Sequence, residues 1–315
     1  MISNVSRLLL PALLLLEPVT SCRADHPTDS VPARHDYVVI PNATNEVQFR
    51  LYTNAAPGAS HLWNTFDLLG YGETLLENPA GGELNQGRAA VSSDPSLDSL
   101  LVNGRGPELN ATNHLTVIER AAGTNWSYVA FDATAGYRDR LTQYHRGVLF
   151  VEPDLFVVWD HLVAREPALF KMRLHAPEVI MVDPLWHDLR LELSRAGLRI
   201  TAPPPRKNPR DWERVESAAD QLFPHTATLQ LGPTNQLAAL DLLTVYAVHR
   251  RGERNDFAFR LLETTSAVGA RIHRDGLPTL VAFKTAASAT NASLMGFGFS
   301  GPVGVDVFAP KVKKP

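Results

Sequence analysis

The chain has 315 residues, with 30 basic and 33 acidic side chains, a net charge of -3 and a hydrophobic share of 44%. That share can bury a core, and the length accommodates one large β domain or two smaller ones. The charge supplies no basic field for nucleic acid, and the single cysteine, Cys22, excludes an intramolecular disulfide and a thiolate metal cluster.

Arg7 precedes an apolar run over residues 8–16, interrupted by Pro11. The run is too short to span a bilayer as a helix, and a basic flank with a short apolar core reads as a secretory signal. Val19, Thr20, Ser21 and Cys22 follow, resembling the lipobox of bacterial lipoproteins. Residues 1–22 are thus expected to be a signal segment ending on a lipidated Cys22. The acyl chains would be the only membrane contact. The expected location is the periplasm or the outer membrane. Residues 23–35, polar with Pro and Asp, read as a tether.

Strand signals then start and continue to the end. Residues 37–40 are β-branched and aromatic, and residues 47–52 alternate apolar with polar, as a half-buried strand does. Residues 65–69 and 74–76 flank a Gly-Tyr-Gly turn. Further strands are expected at 115–118, 128–131, 148–151, 155–159, 170–175, 189–193, 198–201, 226–231, 242–248, 257–262, 280–284, 293–299 and 303–308. Residues 201–214, rich in Pro and Arg, read as a surface excursion. Many short strands punctuated by Gly, Pro and Asn predict an all-β fold, a large antiparallel β-sandwich of the supersandwich kind.

The stretch YHRGVLFVEPDLFVVWDHLVA, residues 144–164, is the strongest local signal. Two apolar runs meet at Pro153 and Asp154, residues suited to a turn, so a hairpin is expected. The runs are nearly continuous rather than alternating, which predicts strands covered on both faces.

Four blocks in order carry a resemblance: FDLLGYGETLLENPAG (66–81), LDSLLVNGRG (97–106), the hairpin above, and RLHAP (173–177). Together they resemble the C-terminal β-sandwich of heparinase II/III-like polysaccharide lyases, and residues 36–315 are expected to form such a domain. The resemblance implies β-elimination chemistry on uronic-acid polysaccharides. There a Tyr or His removes the C5 proton, with the catalytic groups largely on an α/α toroid ahead of the sandwich. The toroid has no counterpart in this sequence and would have to come from a partner chain with a helical domain. The family's His-x-His-x-Asp pattern is reduced to His61, one position out of register, and its later metal-binding positions read Asn78 and Leu97. Leucine cannot ligate zinc and a neutral asparagine is a poor substitute. The family's metal site is therefore expected to be absent, and no cofactor is expected.

Candidate residues follow. His61, Trp63, Asn64 and Arg105 are candidate sugar contacts. Arg146 is a candidate carboxylate partner, since a guanidinium matches a carboxylate with two parallel hydrogen bonds. Tyr144 and His145 are the candidate catalytic groups. Each also has a plainer reading as a core or turn residue, as do Asp160 and His161, which read as turn caps. The expected partner is an acidic polysaccharide. Two functions remain open: a glycan-binding or processing-assisting envelope protein, and a lyase acting alone or with a toroid-bearing partner.

Overall fold

A computed structural model describes residues 37–53, 63–77, 99–108, 114–177, 181–183, 188–202, 212–217, 227–253, 257–274, 277–285 and 291–307. Cys22, the tether, His61, Asn78 and Leu97 lie outside these. The described chain is nearly all β and contains no α-helix, as the strand signals predict.

The centre is an eight-stranded antiparallel sheet. Its strands are β6 (Thr116–Ala122), β7 (Trp126–Asp132), β8 (Leu141–Val151), β9 (Leu155–Ala168), β11 (Met181–Asp183), β12 (Asp188–Glu192), β13 (Ala196–Thr201) and β16 (Leu237–Arg250). They run in the order β11-β12-β13-β16-β9-β8-β7-β6. The expected hairpin is β8–β9, paired Val151 to Leu155 at its closed end. One four-stranded sheet holds β1 (Tyr37–Pro41), β2 (Val47–Tyr52), β3 (Phe66–Gly70) and β4 (Glu73–Leu76). Another holds β5 (Leu100–Val102), β10 (Phe170–Ala176), β14 (Trp212–Ser217) and β15 (Ala227–Pro233). A third holds β17 (Phe257–Glu263), β18 (Ala267–Arg274), β19 (Leu277–Lys284) and β22 (Val303–Val307). A small hairpin joins β20 (Ala292–Leu294) to β21 (Phe297–Phe299).

The continuous apolar runs of β8 and β9 have the predicted cause. Side chains alternate across a strand, so Val148, Phe150, Phe156 and Val158 enter one core while Leu149, Val151, Leu155 and Val157 enter another. The first core packs against the β1–β4 sheet, through Phe49 and Phe66, and against the β10 sheet, through Phe170 and Leu174. The second packs against the β17–β19 sheet, through Val268, Ile272 and Phe283. Phe49, Phe66, Phe150 and Phe156 form a run of adjacent rings with centroids 4.5–5.6 Å apart along the first core.

Three expectations need correction. Residues 293–299 are two strands rather than one: Met295 and Gly296 both have positive φ (52° and 82°) and close a tight turn between β20 and β21. Two consecutive left-handed residues match the right-handed twist of a hairpin; the apolar Met295 concealed the turn. Trp212–Ser217 is a strand pairing with β15 instead of the end of a surface excursion. It lies at the edge of its sheet, where charged residues such as Glu213, Arg214 and Glu216 are tolerated. Ala267–Arg274, unmarked in the sequence reading, is the inner strand β18.

Candidate functional site

Four of the sequence candidates meet on the first-core face of β8. Arg146 lies opposite Asp160 in the β8–β9 register, and both are 1% exposed. The Arg146 Nε donates to Asp160 Oδ1 (2.7 Å) and one terminal nitrogen to Oδ2 (3.2 Å). The other terminal nitrogen donates to the Asn64 carbonyl (2.8 Å) and to its side-chain oxygen (3.3 Å). Asn64 is in the left-handed region (φ 58°), which asparagine adopts more readily than most residues, and its N–H is held by the Tyr52 carbonyl (2.9 Å). The Arg146 guanidinium is therefore paired with a carboxylate, as its shape suggests, but the carboxylate is the protein's own. Burial disfavours the Arg146 charge; the Asp160 charge and the Tyr144 contact outweigh this and keep its pKa above the ordinary arginine value. Asp160 sits mid-strand in this pair and does not cap a turn.

Trp63 and Tyr144 are fully buried beside this pair. Tyr137, on the short helical turn Thr134–Tyr137, links them: its ring lies 6.4 Å from Trp63 and 5.4 Å from Tyr144, and its hydroxyl donates to the Leu100 carbonyl (2.7 Å). Burial pushes the Tyr144 phenol well above its ordinary pKa, with Arg146 opposing the shift. The Tyr144 hydroxyl, the Asn64 amide nitrogen and the Trp63 indole N–H are all buried without hydrogen-bond partners. A phenol so placed is a poor general base at neutral pH. Tyr144→Phe deletes one unpaired polar atom and no hydrogen bond, so it is expected to leave stability unchanged or raise it by up to about 1–3 kcal/mol. A urea midpoint that falls instead would count against this account.

His145 points to the opposite face. Cross-strand register aligns Asp132, His145, His161 and Asp241 across β7, β8, β9 and β16. The two imidazole centroids are 6.4 Å apart. Asp241 Oδ1 accepts from His161 Nδ1 (2.8 Å) and from the Trp159 indole N–H (2.9 Å), and the Gln143 amide donates to His145 Nδ1 (3.1 Å). Burial holds the His145 imidazole below its ordinary value of 6.5; Asp132 opposes this and His161 adds to it. The unfolded chain therefore binds the proton at a higher pH than the folded one, and this contribution to stability falls as pH drops below about 6.5. Urea midpoints of the wild type should decline between about pH 7 and pH 5 more steeply than those of His145→Gln.

Arg105 belongs to a third group. It follows the left-handed Asn103–Gly104 turn (φ 53° and 75°) and is exposed, paired with Glu108. Arg140 donates to the Arg105 carbonyl (2.7 Å) and the Gly106 carbonyl (2.8 Å), with its guanidinium 5.4 Å from the Tyr137 ring centre. Arg165 donates to the Arg138 carbonyl (2.7 Å). Backbone contacts thus bring Arg105, Arg138, Arg140 and Arg165 together, with Glu108 paired to Arg105 and Asp139 to the largely buried Arg140. The sequence reading found only Arg105; the Arg138-x-Arg140 spacing beside Tyr137 was the signal for more. Among the described residues, no three His, Cys, Asp or Glu side chains are grouped to hold a metal ion.

This layering, with a hairpin-built central sheet cored on both faces, is a large antiparallel β-sandwich whose fold is similar to that of solved heparinase structures. Among solved structures it is similar to a lysine-methylated heparinase III, the BT4657 gene product (TM-score 0.59, 13% identity, 79% of this chain and 40% of that one). It is likewise similar to the heparan sulfate lyase HepC from Pedobacter heparinus (TM-score 0.59, 12% identity, 80% and 42%). A further heparinase III gives a TM-score of 0.58 at 13% identity, covering 82% and 43%. The shared property is the fold, and this chain spans about two-fifths of the length of those proteins. No protein-family model and no curated protein matches the chain.

Proposed function

We propose that the chain binds acidic, uronic-acid-bearing polysaccharides, or assists their processing, and does so without catalysis by Tyr144. The observation that carries this reading is the group Arg105, Arg138 and Arg165, held together through Arg140, on a heparinase-type sandwich. Guanidinium groups match carboxylates and sulfates geometrically, and the structural neighbours include enzymes named for heparin and heparan sulfate. The buried state of Trp63, Asn64, Tyr144 and Arg146 supports a supporting role for them beneath that surface instead of direct sugar contact. Cys22 as a lipid anchor, in the periplasm or at the outer membrane, and a helical-domain partner chain belong to the same proposal.

The second reading is a lyase. It draws on the His161–Asp241 pair, since an imidazole oriented by a carboxylate is the arrangement of a general base. Migration through gels cast with heparin, alginate or a neutral polymer separates the two, together with ultraviolet absorbance for the unsaturated uronate that elimination produces. Binding predicts retardation by the acidic polymers alone, weakening with salt and reduced in Arg105→Gln/Arg138→Gln, with no absorbance rise. An absorbance rise abolished by His161→Ala or His145→Ala would overturn it in favour of the lyase. Free migration in every acidic gel would reject the glycan reading outright.

A further inference from the structure

The outer face of the β17–β18 pair carries a second basic feature, on the opposite side of the central sheet from Arg105. β17 and β18 turn Leu261, Val268, Ala270 and Ile272 inward to the second core. Side-chain alternation therefore turns Arg260, Arg271 and His273 outward. Arg260 and Arg271 face each other directly in the register, and His273 lies two residues along β18. Like charges directly opposite on neighbouring strands destabilise a sheet. Natural sheets commonly relieve such a pair with an acid at a flanking position. Here the position beyond Arg271 is Leu280, and Asp306 comes only one strand further, opposite Leu280.

Burial sharpens the conflict. Arg260 is exposed, but Arg271 is only partly so, and its Nε is fully buried without a hydrogen-bond partner. A buried guanidinium N–H lacking an acceptor is costly. On the same outer face Leu262 and Leu280 lie under the β20–β21 hairpin with Leu294. The pair thus stands at the foot of a raised hairpin, where a ligand would be partly shielded from water and its attraction to the arginines correspondingly strengthened.

We infer that Arg260 and Arg271, with His273 beside them, form an oxyanion-binding site that takes a carboxylate or sulfate group of an acidic glycan. One oxyanion between the two guanidinium groups would cancel their repulsion, and a turn of the partly exposed Arg271 side chain toward it would give the Nε–H an acceptor. The glycan identity rests on the function proposed above; the oxyanion chemistry rests on the pair itself.

The test uses the full chain, with inorganic sulfate and glucuronate as separate probes at constant ionic strength set by chloride. Arginine side-chain N–H resonances and thermal unfolding are read for the wild type, Arg271→Gln, Arg260→Gln and Arg120→Gln. The expected result is saturable movement of one buried Nε–H resonance, absent in Arg271→Gln. Affinity should fall at least tenfold in Arg260→Gln and stay unchanged in Arg120→Gln, an exposed arginine on β6 outside both basic groups. Without either probe, Arg271→Gln should melt above the wild type, because the repulsion is gone, and the difference should close as probe is added. No saturable shift with either probe, or a shift that persists in Arg271→Gln, overturns the site. A response to one probe only identifies the group that is taken. If the site titrates but no acidic polymer retards the protein, the oxyanion site stands and the polysaccharide reading fails. If polymers retard the protein through Arg105 and this pair is silent, the reverse holds.

Discussion

Asp160→Ala is expected to cost the fold about 3–5 kcal/mol, the range for removing one partner of a buried ion pair. The loss goes beyond the attraction between the two charges. Truncation leaves the Arg146 guanidinium, 1% exposed, with the Asn64 oxygens and the weakly accepting Met172 sulfur as its remaining acceptors. It also loosens the Asn64 turn that leads Trp63 into the core. Replacing both members with apolar residues of similar volume, as in Arg146→Met/Asp160→Leu, is expected to recover most of the loss, because no uncompensated charge then remains. Chemical denaturation of the two variants against the wild type checks this. A drop below about 1 kcal/mol for Asp160→Ala would mean that the pair behaves like a solvated one and that the burial described above is wrong.

Trp63→Ala is the second large effect, about 3–5 kcal/mol for deleting a large buried aromatic side chain. Trp63 is 0% exposed and packs on Tyr137, which in turn holds the Leu100 carbonyl and supports Arg140. The variant therefore damages the core and, through Tyr137, the arginine surface. Trp63→Phe separates these roles. It keeps most of the ring and discards an indole N–H that has no partner, so it should cost much less. Retardation by heparin should be unchanged in Trp63→Phe, since a fully buried ring has no face to offer a sugar. Loss of retardation with stability intact would return Trp63 to the role of a stacking platform.

Much of the architecture was legible because it is written in β-branched and aromatic residues. The unbroken run 148–151 pointed to coverage on both faces, and the two cores are the reason for it. Val47–Tyr52 alternates in burial as it alternates in sequence. What escaped was interrupted by residues whose local meaning misleads. In β18, Gly269 and Arg271 break the apolar pattern, although Gly269 is where β18 and β19 approach closely: an added methyl would lie 2.1 Å from the Val281 carbonyl. The site was less legible than the fold. Arg146 was expected to meet a substrate carboxylate and instead meets Asp160, because the partner fourteen residues on is fixed by hairpin register, which sequence alone does not display. His161 and Asp241 are eighty residues apart and meet only when β9 and β16 pair. Arg138 and Arg165 likewise depend on the pairing of distant segments for their proximity.

The central sheet serves both cores, and this makes the C-terminal portion indispensable. A chain ending before Phe257 would lack β17 through β22 and would leave Leu149, Val157, Trp159 and Val245 facing water on a broad, flat wall. Such a fragment would gain no smaller stable form; its bare wall would seek the same wall on another copy, so shortened versions should be recovered as aggregates and not as working miniatures.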